Sequence, residues 1–321
     1  MATTARVAGL VLGYGADLVF GDPRRWHPVA GFGRAAAALE RRLWADSRVL
    51  GAAHVAVCVG ATLGAGVLAQ RLARRHPVAE TLLTAAATWT VLGGRSLRRE
   101  GRVMHGLLTN GDLAAARRRL SHLAGRDPDG LGPGQLARAT VESLAENTSD
   151  AVVAPLWWAA LAGVPGLVGY RAVNTLDAMI GHRSPRYERF GWAAARLDDA
   201  ANLIPARLSG ALAAAGAPFV GGSPRRALRA WRRDAGRHPS PNAGPVEASA
   251  AGALGVTLGG RTVYGHGTEE RPRLGDGPAP GPADLRRAAR LSRLVGAAAV
   301  VLAAALAVVL KAAPAGITRG R

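Results

Sequence analysis

Carboxylates and side-chain amides bracket an apolar run in the middle of this chain. Glu142, Glu146, Asn147 and Asp150 precede it; Asn174, Asp177, Asp198, Asp199 and Asn202 follow it. On a helix, Glu142, Glu146 and Asp150 fall four apart and share a face, and Asn174 and Asp177 fall three apart. Asp198 and Asp199 both reach Asn202 by helical spacing. Ionised groups at a membrane edge are costly, which makes them functional candidates. Oxygen-rich clusters poor in histidine suit Mg²⁺, which takes a few carboxylates and completes its shell with phosphate oxygens. Glu146, Asp150, Asp198 and Asp199 are the expected metal ligands. Arg171, Arg183, Arg186, Arg196 and Arg207 supply forks for phosphate or carboxylate groups. The competing expectation is that these acids and arginines merely pair with one another at a surface.

The elements that position these groups follow from composition. The chain has 321 residues and a net charge of +19, with 49% hydrophobic and 20% charged residues. Its only lysine is Lys311 and its only cysteine, Cys58, lies inside an apolar run. A lysine-based phosphate loop, an intramolecular disulfide and a zinc cluster are therefore excluded. The arginines alternate with apolar runs and lack the aromatic stacking pattern of nucleic-acid binders, so no nucleic acid is expected. They fit loops kept on the cytoplasmic side of a membrane.

Val7–Phe20 reads as a short or interfacial helix, and 21–34 as a Pro/Gly loop carrying Asp22, His27 and Arg34. Residues 34–48 read as a basic amphipathic helix. Val49–Gln70 is the clearest span, long enough to cross ~30 Å of hydrocarbon, and Pro77–Gly94 a weaker one. The apolar run 152–170 breaks at Gly163-Val164-Pro165-Gly166, which predicts a helical hairpin that returns both polar clusters to one membrane face. Leu203–Val220 and Leu294–Leu310 are further apolar segments, and Val246–Leu258 reads as a helix of small residues. Gly259–Pro282 reads as irregular. The expected fold is an all-α, polytopic integral membrane protein with about four to six membrane helices. One of them is a broken or re-entrant hairpin. The whole chain, 1–321, is expected to be a single membrane domain, with polar cytoplasmic segments at 95–140 and 222–293.

Several blocks, in order, carry a resemblance: GDPRRWHPVAGFGR, ESLAENTSDAVVAPLWWAALAGVPG, YRAVNTLDAMIGHRSPRYERFGWAAARLDDAANLIPARL, HPSPNAGPVEASAAGALGV and LGDG. Together they resemble the CobD/CbiB family, the integral-membrane adenosylcobinamide-phosphate synthases of cobalamin biosynthesis. One departure is Pro245, where the family pattern leads one to expect tryptophan after PNAG. The resemblance implies an acid–amine ligase of the cell membrane. Such an enzyme joins (R)-1-amino-2-propanol, or its O-phosphate, to the free carboxylate of adenosylcobyric acid, with ATP and Mg²⁺. It leaves room for contact with other corrinoid-pathway enzymes.

The catalytic set expected on this basis is Glu142, Glu146, Asp150, Asp177, Asp198 and His238. The substrate-binding set is Asp22, His27, Arg34, Asn147, Arg171, Asn174, Arg183, Asn202, Arg207, Ser240 and Asn242. A carboxylate or His238 accepts the ammonium proton, and the choice stays open here. A membrane transporter for an anionic solute is the alternative reading, for which corresponding broken segments in two halves would be the sign.

Overall fold

The computed structural model describes residues 2–23, 27–121, 123, 128–182, 184–264 and 267–312. Helices dominate. They are α1 (Ala2–Phe20), α2 (Pro28–Leu43), α3 (Arg48–Ala73), α4 (Pro77–Val91), α5 (Gly94–Thr109) and α6 (Leu113–Leu120). Then come α7 (Pro133–Thr148), α8 (Ala154–Leu176), α9 (Trp192–Gly216), α10 (Pro224–Asp234), α11 (Ala243–Leu254) and α12 (Pro282–Ala312). One antiparallel hairpin, β1 (Leu258–Tyr264) with β2 (Gly267–Leu274), stands before α12. Among the described residues, four helical stretches are long and apolar enough to cross a membrane: Arg48–Ala73, Pro133–Gly181, Trp192–Val220 and Pro282–Lys311. The chain divides into two compact units. The first is Met1–Leu92, Pro155–Asp198 and Ala299–Arg321; the second is Gly93–Ala154 and Asp199–Ala298.

In the first unit, α1 is longer than its apolar run suggests, and it packs on α4 through glycines. A methyl group on Gly9 would sit 2.5 Å from Thr84 Cβ, and one on Gly13 2.5 Å from Thr88 Cβ. Small residues let two helix backbones approach this closely. The expected span at Pro77–Gly94 is corrected here. Helix α4 has 15 residues, about 22 Å of rise, and stops where Leu92 turns extended before Gly93-Gly94. A second core gathers Ala36, Val55, Cys58, Leu176, Ile180, Phe190 and Ala194, so Cys58 is a buried packing residue. Glu40, nearly buried, accepts from Arg186 at 3.0 Å and from Tyr187 Oη at 2.9 Å, and Arg186 stacks over Trp44. Arg186 therefore anchors the segment after α8.

Helix α8 is broken where the sequence shows GVPG. Gly163 has φ 70° and ψ −149°, a backbone state that a Cβ disfavours. A methyl group on Gly166 would lie 2.3 Å from the Trp158 carbonyl oxygen. Eight residues of straight helix would separate those positions by about 12 Å, so the chain bends back sharply. Buried backbone groups freed at such a break need partners. Gln70 Oε1 accepts from Val164 N at 2.7 Å, and Arg6 donates to Ala160 O at 3.4 Å.

In the second unit, Met104, Leu108, Ala116, Leu120, Leu136 and Leu285 form a core under α5, α6 and α7. Helix α11 is buried along its whole length, which its Ala/Gly composition permits. The hairpin corrects the irregular reading of 259–282. Its glycines obscure the strand pattern, yet they do the shaping. Gly259, Gly260 and Gly275 have φ of 78°, 84° and 85°, and the register shifts between Leu258 and Gly260, as in a β-bulge.

Candidate functional site

The expected functional groups fall into both units, and each set has its own geometry. In the first unit, α8 presents Arg171 and Asn174 one turn apart, and α9 presents Asp198 within its second turn. Arg171 donates to Asn174 Oδ1 at 3.4 Å, and Asn174 Nδ2 donates to Asp198 Oδ1 at 3.3 Å. The loop before α2 joins this row electrically. His27 senses the charges of both Asp22 and Arg171. Burial is the main cause that holds the His27 imidazole below its ordinary range; Arg171 adds to the shift and Asp22 opposes it. His27 Nδ1 also accepts from Val29 N at 3.2 Å and so caps α2. Asp22 Oδ1 is buried and has no hydrogen-bond partner among the described residues. Arg34 is exposed on α2. Arg183 lies outside the described residues.

Asp177 and Asp150 share a feature that spacing could not reveal. Each sits in a five-residue π-helical turn, Asp177–Gly181 and Ser149–Val153. Single π turns inside helices recur at functional sites because they redirect side chains. Along the predicted common face of Glu142, Glu146 and Asp150, burial differs: Glu142 is buried, Glu146 exposed and Asp150 half-buried. Four-residue steps already drift by about 40° each on a helix, and the π turn adds to that drift.

Glu142 has a defined duty in the second unit. Its Oε1 accepts from Gly259 N at 2.7 Å and lies 3.9 Å from Arg138 Nε. Arg138 donates to Gly259 O and, at 2.5 Å, to Arg261 O. The i,i+4 pair on α7 thus grips the start of β1. Asn147 donates to Ser143 O at 2.9 Å.

The loop 237–244 is tied to α9 by Asn242. Its Nδ2 donates to Asp199 O at 2.8 Å, and its Oδ1 meets Arg207 at 3.5 Å. Ser240 Oγ accepts from Asn242 N at 3.3 Å and Ala243 N at 3.1 Å, which shapes the entry to α11. Asn202 is buried and Arg207 exposed on α9. His238 is nearly buried. Arg271 hydrogen-bonds its Nε2, and Glu247 Oε1 lies 3.8 Å from Nε2 and 3.7 Å from Arg271. A guanidinium can only donate, so Nε2 is the acceptor; Nδ1 lies 3.0 Å from Ser240 N, which donates to it, and 3.2 Å from Ser240 O. In this arrangement Arg271 and the Ser240 backbone engage the two ring nitrogens of His238, which orders the loop.

Glu247 and Arg271 escaped the reading of the sequence. Glu247 had a signal: it is the one carboxylate in the Ala/Gly run 243–255, and a buried charge requires a partner. Arg271 had none, because its strand was not recognised. Asp234 is similar. Burial would raise its carboxyl, but hydrogen bonds from Arg233 and Gly275 N, with the charges of Arg233 and Arg237, pull it below the usual carboxylate range. Among the described residues no three His, Cys, Asp or Glu side chains converge as a ready-made metal site.

A family model described as "CobD/Cbib protein" matches residues 10–292. A protein of Mycobacterium tuberculosis (strain ATCC 25618 / H37Rv) named "Cobalamin biosynthesis protein CobD" is 60% identical over 302 residues, 94% of this chain and 96% of its own. Proteins of the same name from Geobacter metallireducens and Chromobacterium violaceum are 48% and 44% identical. The alignments cover 81% and 86% of this chain, and 83% and 88% of theirs. No solved structure matches the chain.

Proposed function

The chain belongs to the CobD/CbiB family, and from that premise we propose that it acts in cobalamin biosynthesis as a membrane-bound acid–amine ligase. Its substrates in this reading are adenosylcobyric acid and (R)-1-amino-2-propanol or its O-phosphate, with ATP as co-substrate. The arginine-rich loops support a reading in which the site faces the cytoplasm at the cell membrane.

Amide formation from a carboxylate and an amine is uphill in water, so the carboxylate must be activated. A corrinoid carboxylate oxygen attacks the γ-phosphorus of ATP, the bond to the β-phosphate oxygen breaks, and ADP leaves. The amine nitrogen then attacks the acyl carbon. The C–N bond forms, the acyl C–O bond to phosphate breaks, and the ammonium proton passes to a carboxylate. The observation that carries the reading is the row Arg171–Asn174–Asp198, linked through His27, which feels the charges of both Arg171 and Asp22, to Asp22, whose buried Oδ1 has no hydrogen-bond partner among the described residues. A cationic fork holds developing negative charge, and a buried carboxylate oxygen suits an ammonium donor.

The donor set fits magnesium carried by the nucleotide. Mg²⁺ needs only one or two carboxylates when phosphate oxygens and water complete its shell. Asp198 in the first unit, or Asp199, Glu146 or Asp150 in the second, would supply such a carboxylate, and the ion would neutralise the charge of the transferred phosphoryl group.

The test is purified protein with adenosylcobyric acid, ATP, Mg²⁺ and each amine, with products identified by mass. Asp150→Asn and Asp198→Asn are expected to lower ligation by about 100-fold or more while leaving membrane insertion intact. Wild-type rates in both variants would remove these carboxylates from the chemistry. Asp22→Asn is expected to raise KM for the amine more than it lowers kcat. An unchanged KM would move the amine elsewhere.

A further inference from the structure

Arginines that the ligation does not use gather at one place in the second unit. A cavity of about 460 Å³ opens between α5, the turn Ala217–Val220 and the first turns of α12. Arg98 and Arg102 reach it from α5; Arg286, Arg287, Arg290 and Arg293 reach it from α12. Arg286, Arg290 and Arg293 follow one another at helical spacing, and Arg98 and Arg102 are four apart.

No carboxylate among the described residues lines the cavity beside Arg102, Arg286, Arg290 and Arg293. Asp284, close by in sequence, is bonded at 2.7 Å by Arg287, which also donates to Val220 O at 2.9 Å. Glu100 on α5 is held by Arg119 through two bonds of 2.5 Å. Arg102, Arg286, Arg290 and Arg293 remain exposed.

The fold does not need arginine here. Like charges this dense repel one another. A multiply charged anion reverses this cost. Guanidinium forks match phosphate oxygens in pairs. The cavity also has an apolar margin: Phe219 at its edge is 60% exposed, and Arg293 directly precedes the apolar run Leu294–Leu310. Basic pockets beside membrane helices are suited to phospholipid headgroups.

We propose that this cavity binds a ligand carrying two or more phosphate charges. A diphosphate lipid headgroup and a soluble polyphosphate share this chemistry. The proposal is independent of the ligase reading, because none of its residues belongs to the proposed catalytic or substrate-binding sets.

The test uses the full chain in neutral detergent, titrated separately with cardiolipin, followed by native mass spectrometry, and with inorganic tripolyphosphate, followed by calorimetry. The double variant Arg290→Gln/Arg293→Gln and the single variant Arg102→Gln come from separate helices. Arg225→Gln/Arg229→Gln on the exposed face of α10 is the matched charge control. Wild type and the α10 control are expected to bind at least one anion, and the double variant to bind it at least tenfold more weakly. Arg102→Gln is expected to show a smaller loss in the same direction. Cardiolipin binding alone identifies a lipid site, and tripolyphosphate binding alone a soluble one. No binding by wild type, or equal affinity in the α12 and α10 variants, overturns the proposal.

Discussion

Gln70 in the first unit and Glu142 in the second each present a side-chain oxygen to a buried backbone N–H at 2.7 Å, Val164 in one case and Gly259 in the other. Both mend a place where regular structure fails. Gln70 closes the break in α8, and Glu142 closes the bulged start of β1. They differ in charge. Gln70 is a neutral amide, while Glu142 is an anion whose Arg138 partner holds two further carbonyls of the same strand. A neutral cap stabilises by roughly one hydrogen bond. A charged cap locks several groups together, so its loss strands all of them.

Removing the two caps tests that difference. Glu142→Leu leaves Arg138 without its anion and Gly259 N without an acceptor, with an expected cost of about 3–5 kcal/mol. Thermal melting in detergent would read the loss, and limited proteolysis should open first near 258–274. A melt no lower than that of a surface variant would show that the pair does not hold the hairpin. Gln70→Leu should cost less, about 1–3 kcal/mol, because only one buried N–H is stranded. If both variants melt alike, charge does not distinguish the caps.

The smallest effect is a third cap, His27 on α2. Its imidazole must be neutral at Nδ1 to accept from Val29 N, and its folded-state value lies below the ordinary 6.5. The unfolded chain therefore binds the proton first. Stability is complete above about pH 6.5 and declines as pH falls through the lower folded value. A cap of this kind contributes up to about 1 kcal/mol, and partial exposure keeps the effect at the low end. His27→Asn, which caps without titrating, should flatten this part of the profile between pH 7.5 and 5.5. An unaltered slope would assign the pH dependence to other groups.

These caps also mark what the sequence could reveal. The break at Gly163 was legible because glycine and proline interrupt a long apolar run, and nothing else in the segment explains them. The helix over Arg48–Ala73 was legible for the complementary reason, a charge-free core of sufficient length. The hairpin was not. Gly259, Gly260 and Gly275 sit where a strand pattern would show alternation, and they hide it while supplying the bends. Of the candidate site, the residue types were readable for Arg171, Asn174 and Asp198. The contacts of Gln70 with Val164 and of Arg271 with His238 were not, because they join remote segments that no spacing rule connects. The π turns at Asp150 and Asp177 were hidden too, since a π turn is set by backbone hydrogen bonding that leaves no residue signature here.

The glycine seam between α1 and α4 has a consequence in the genetic code. Any single-base missense change in a glycine codon adds at least a methyl group. At Gly9 and Gly13 that group would meet a threonine carbon 2.5 Å away on a neighbouring helix. These two positions thus have no conservative replacement. Point mutation can reach only residues that push the helices apart, and trimming Thr84 or Thr88 would not make room, because the Thr81 and Ala85 carbonyl oxygens lie 2.9 and 2.6 Å from the same methyl positions.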